Sequence, residues 1–109
     1  MTLDEMINEL VVRSKTGYTA EHIKKAIDTN FSIITDDALC IFNIVQDELH
    51  ILFMYVRPGV DAVPYKEAME GLAKMSGCKT AKFVTKRSKA FARRFPDYKP
   101  CAVMFEKEL

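Results

Sequence analysis

A chain of 109 residues, 49% apolar and 28% charged, has the size and composition of one globular domain with its own core, which excludes a disordered chain. The formal net charge of +1 conceals a split: residues 1–50 hold nine acids and four bases, residues 51–109 twelve bases and six acids. The longest apolar stretches, residues 38–45 and 49–56, fall short of the roughly 20 residues of a membrane span, and the acidic, polar start shows no signal-peptide pattern.

Thr2-Leu3-Asp4-Glu5 forms a capping box, after which Leu3, Met6, Ile7, Leu10 and Val11 recur at helical spacing. Gly17-Tyr18 breaks that pattern. Thr19 caps a second helix whose buried stripe is Ile23, Ala26 and Ile27, while His22, amid Glu21, Lys24 and Lys25, reads as solvated surface. These two helices are expected to form a cover, not a core.

The periodicity then changes. Residues 31–35, 39–45 and 49–56 are rich in Ile, Val and aromatics and are separated by Asp36-Asp37 and Gln46-Asp47-Glu48. Connections this short require antiparallel strands. The second and third strands are apolar at nearly every position, so helices should cover both their faces.

Arg57-Pro58-Gly59 ends the third strand, and Pro64 suits the first turn of a helix. Ala68, Met69, Leu72, Ala73 and Met75 are its expected buried side, with Gly77 just past its end. A strand at 80–85, a helix at 88–95 capped by Ser88, and a strand at 101–105 complete the order α-α-β-β-β-α-β-α-β. This is an α/β (α+β) domain with a mixed, mainly antiparallel central sheet flanked by helices. Cys40, Cys78 and Cys101, odd in number and not closely paired, imply reduced thiols and a cytoplasmic setting, and their spacing suits no zinc site.

The order, the run HILFMYVRPG leading into a helix, and the tail TAKFVTKRSKAFARRFPDYKPCAVMFEKEL together resemble the Gcn5-related N-acetyltransferase (GNAT) fold, without the usual first strand. The resemblance implies acetyl-CoA in the splay between two adjacent parallel strands. Its pyrophosphate would lie on a Gln/Arg-x-x-Gly-x-Gly/Ala loop opening the next helix. The backbone of Phe53, Met54, Tyr55 and Val56 would line the thioester, and Arg57 and Gly59 would touch phosphate. The matching stretch RPGVDAVP departs from that loop, with one glycine instead of two, a proline without a donor, and the negative Asp61. Where the family often places a proton-donating tyrosine stands Phe91, which cannot donate. Phe91 and Phe95 read as core aromatics, and Tyr98 is the nearby substitute donor.

Deprotonating an acceptor amine needs a base, and Glu48 and His50, at the start of the third strand, are the candidates. No metal-binding spacing, serine-nucleophile motif or Walker loop occurs. The basic run with Lys86, Arg87, Lys89, Arg93 and Arg94 suits a solvated face, nucleic acid or an acidic protein. The departures from the family pattern imply a non-catalytic, cofactor-free accessory or structural protein acting through protein contacts. Its compactness resembles that of bacteriophage head-assembly or virion proteins of this fold. The alternatives are a divergent acetyl-CoA-dependent N-acetyltransferase of a small amine or peptide, and a nucleic-acid-binding module. Edge strands and oppositely charged halves also favour self-association.

Overall fold

The first two helices begin at side-chain caps. In the structure, a computed structural model that describes residues 1–14, 17–85, 88–101 and 105–109, these are α1 (Leu3–Ser14) and α2 (Ala20–Thr29). Thr2 Oγ1 accepts from the Glu5 N–H at 3.2 Å and donates to Glu5 Oε1 at 3.1 Å. Thr19 Oγ1 accepts from the His22 N–H at 3.3 Å, and the Thr19 N–H donates to His22 Nδ1 at 3.1 Å. His22 is therefore not idle surface: its ring nitrogen does at the third helical position what a Glu carboxylate commonly does.

Strands β1 (Phe31–Ile34), β2 (Ala38–Val45), β3 (Glu48–Val56) and β4 (Thr80–Phe83) form one sheet in that order. The first three are antiparallel; β4 lies parallel to β3. The crossover between those two runs through α3 (Val63–Met75), and α4 (Ser88–Arg94) follows β4. β4 ends two residues earlier than expected. Of the strand expected at 101–105, residues 102–104 lie outside the described residues, and Cys101 and Phe105 are in no strand.

The sheet is covered on both faces. Leu39 and Ile41 of β2 pack with Met6, Ile7, Leu10 and Ile23 beneath α1 and α2. Ala38, Cys40 and Phe42 pack with Met69, Ala73 and Phe95 on the α3 and α4 side. The N-terminal helices thus build a second core, contrary to the expectation of a mere cover, because three α1 side chains and Ile23 are removed from solvent there.

β3 changes sides part-way along. Phe42 pairs with Ile51 and Ile41 with Phe53, leaving Leu52 as an extra residue. Before it, Leu49 and Ile51 face α3; after it, Met54 and Val56 do, and Phe53 and Tyr55 turn to the α1–α2 core. One additional residue shifts the two-residue alternation of a strand by one step.

Helix α3 is rotated relative to its apolar pattern. Lys66, Met69 and Ala73 are its buried residues, whereas Ala68 is exposed, Leu72 is 46% exposed and Met75 86%. The reason is Lys66, whose stem lies inside while its ammonium meets Asp97 Oδ2 at 2.6 Å and Glu70 Oε1 at 3.7 Å. The same ammonium lies 5.7 Å from the ring centres of Phe95 and Tyr98. At the far end of α3, Gly77 adopts φ 85° and the Cys78 N–H bonds to the Ala73 carbonyl at 2.9 Å. Among the described residues, no helix is long and apolar enough to cross a membrane.

A candidate ligand cleft between β3 and β4

Pairing between β3 and β4 covers only four positions, from Glu48 opposite Thr80 to Ile51 opposite Phe83. It stops at the bulge, and β3 runs on through residues 52–56 with no registered β4 partner among the described residues. A cleft of about 160 Å³ opens there, lined by Met54, Val56, Phe83, Ala90, Phe91 and Arg94 among others. Phe91 stacks on Phe83 at 4.6 Å and meets Phe95 and Tyr98 edge-on, so the aromatic cluster expected of Phe91 and Phe95 forms the back of the cleft. A second hollow, about 220 Å³, adjoins residues 60–63 and shares Arg94 and Phe95 with the first. Each is smaller than the roughly 300 Å³ at which pockets for drug-sized ligands begin, and so suits a thin chain.

The start of α3 borders the second hollow. A helix N-terminus attracts anions through its free N–H groups. Here the Val63 N–H donates to Asp61 Oδ1 at 3.0 Å, Pro64 has no N–H, and the Lys66 N–H bonds to the Ala62 carbonyl at 3.2 Å. Arg57 is engaged too: its guanidinium lies 2.8 Å from Asp37 Oδ1 and its N–H donates to the Asp37 carbonyl at 2.8 Å. Gly59, at φ 85°, turns the chain between them.

The remaining candidates divide between two faces. Met54 and Val56 line the cleft, whereas Phe53 packs against Tyr18 at 5.1 Å and the Tyr55 hydroxyl donates to Met1 Sδ at 3.4 Å, both on the α1–α2 side. Glu48 and His50 occupy alternate positions at the paired end of β3. Lys82 hydrogen-bonds Glu48 and holds its carboxyl below the usual carboxylate range; the same bond raises the Lys82 ammonium. His50 Nε2 lies 3.8 Å from Glu48 Oε1 and has no hydrogen-bond partner among the described residues. The Tyr98 hydroxyl donates to Glu70 Oε2 at 2.8 Å, and burial followed by that carboxylate raises its phenol above the ordinary range. It points to α3 and is not among the cleft-lining residues.

Lys89, Arg93 and Arg94 are exposed on α4 and form no ion pair among the described residues; Lys86 and Arg87 lie outside them. No group of His, Cys, Asp or Glu suited to a metal occurs among the described residues. Sequence reasoning missed Lys66 and Asp97, and it named Arg94 only as part of a charged run. A lone lysine inside an apolar helical stripe is the one signal that could have found the first.

No protein-family model and no curated protein matches this chain. Among solved structures, aminoglycoside N-acetyltransferase AAC(6')-Iy in complex with CoA is similar with a TM-score of 0.61, over 96% of this chain and 88% of that one. The fold is GNAT-like. With 10% identity the likeness concerns architecture and not activity. Within the GNAT-like sheet, β3 and β4 are the adjacent parallel strands, and the cleft lies where they part.

Proposed function

We propose that this GNAT-like protein is a thioester-dependent N-acetyltransferase, taking an acetyl-CoA-type donor in the β3–β4 cleft and acylating a small amine or a peptide amine. The observation that carries the reading is the parting of β3 from β4 at Leu52, which opens a narrow cleft beside a stretch of β3 with no registered β4 partner among the described residues. From Val56 to Leu52 the strand spans about 13 Å, a length suited to an extended pantetheine arm. The thioester then lies at the vertex, two residues or about 7 Å along the strand from His50.

There the amine nitrogen attacks the thioester carbon, forming the C–N bond as the C–S bond breaks. The amine proton passes to water, and the departing thiolate takes a proton from water. His50, alternating with the α3-facing Leu49 and Ile51, turns to the other face of the sheet, with Nε2 buried 3.8 Å from Glu48 Oε1. Isothermal titration with acetyl-CoA and with acetyl-pantetheine tests the donor site. Binding is expected, and Ala90→Trp, which fills the cleft from an exposed helix position, is expected to abolish it. If the wild-type protein binds neither donor, the proposal fails.

One observation favours a second reading, a non-catalytic accessory protein acting through protein contacts. The protein's own Asp61 carboxylate occupies a donor at the α3 start that a coenzyme phosphate would use. That reading predicts no thioester binding in the same titrations.

A further inference from the structure

We infer that the acyl donor arrives on an acidic carrier protein bearing a phosphopantetheine arm, which docks on α4 with the arm's phosphate at Arg94. This rests on the cleft being a thioester site. Free coenzyme A brings a pyrophosphate and a third phosphate, and a site for it needs several donors. Around this cleft most are already committed. Val63 N–H is bonded to Asp61, Pro64 offers none, and Arg57 is paired with Asp37. The Asp61 carboxylate also lines the hollow that a second phosphate would enter.

Arg94 remains. It lines both the cleft and the hollow at the α3 start, so it stands at the mouth where an arm enters. One guanidinium matches one phosphodiester, which is the whole charge of an arm attached to a carrier. Outside the mouth, α4 carries Lys89 and Arg93 one turn apart and no acid, and the acid just past its end, Asp97, is held by Lys66. An uncompensated basic helix beside a narrow slot complements an acidic protein surface, and such pairing depends on ionic strength.

The test compares four probes by titration at low and moderate salt: an acetyl-loaded acidic acyl carrier protein, the same carrier without its arm, acetyl-pantetheine and acetyl-CoA. The loaded carrier should bind at least tenfold more tightly than acetyl-CoA or the armless carrier. That advantage should shrink with salt and disappear in Arg93→Glu and, independently, in Lys89→Glu, with acetyl-pantetheine binding unchanged in both. Acetyl-CoA binding as tightly as the loaded carrier overturns the carrier inference and leaves the thioester site standing. An armless carrier that binds as well as the loaded one also overturns it. If neither acetyl-CoA nor acetyl-pantetheine binds, the proposed function itself falls, and the inference with it.

Discussion

The Lys66 ammonium, 2.6 Å from Asp97 Oδ2, ties α3 to the turn that follows α4. Phe95, two residues before Asp97 in the chain, backs the cleft beside Phe91, so this pair holds the aromatic wall against the helix. Asp97→Ala should lower the melting temperature by a few degrees and weaken donor binding. Lys66→Met should melt close to wild type, because methionine keeps the buried stem and both carboxylates retain access to water. Thermal circular dichroism distinguishes the two.

The same pair sets a pH dependence. Its hydrogen bond holds the Asp97 carboxyl below the usual range, so its stabilisation is complete above the ordinary carboxylate value and is lost as pH falls through the lowered one. The hydrogen bond to Asp97 also raises the Lys66 ammonium, giving stabilisation present below the ordinary lysine value and lost as pH rises through the raised one. Urea unfolding across pH should therefore show a plateau with two falling limbs. In Lys66→Met the acid limb should be shallower.

The rotation of α3 is checked by two alanines. Met69 is fully buried, and Met69→Ala should cost about 2–5 kcal/mol. Leu72→Ala should cost about 0.5 kcal/mol or less, since that side chain is 46% exposed. Equal losses in urea denaturation would contradict the helix setting described above.

Thiol labelling should resolve the three cysteines. Burial pushes the Cys40 thiol up to about 12, Cys78 is half-buried and Cys101 is exposed. At pH 8 a thiol reagent should modify Cys101 first and Cys78 more slowly, with Cys40 reacting only in denaturant. Mass spectrometry of timed samples assigns the order.

Asp61→Ala removes a negative charge from the α3 start and frees the Val63 N–H. Acetyl-CoA affinity should rise about 2–5-fold in titration, the size of a charge effect at an exposed helix end. Acetyl-pantetheine, which lacks phosphate, should be unaffected.

The GNAT-like order was legible because each element announces itself locally. Thr2 and Thr19 mark helix starts, Asp36-Asp37 and Gln46-Asp47-Glu48 mark tight turns, and the unbroken apolar character of residues 39–45 and 49–56 reports cover on both faces. The site was legible only in part. Met54 and Val56 do line the cleft, but Phe53 and Tyr55 do not, since no residue type in 49–56 marks which position is the extra one in the bulge. The burial of Lys66 was likewise hidden, because its partner Asp97 is 31 residues away. Apolar periodicity ranks Leu72 and Met75 above a lysine, and only the tertiary pairing reverses that ranking.

Leu52 gives β3 something like a reading frame. A one-residue deletion near it would not merely shorten the strand but exchange inside for outside from that point on, sending Met54 and Val56 toward α1 and Phe53 and Tyr55 toward α3. An insertion and a nearby deletion on opposite sides of Leu52 would restore the phase at both ends, as paired frameshifts do in a gene. Natural variation in this strand should therefore come as substitutions or as compensated pairs, and almost never as single gaps.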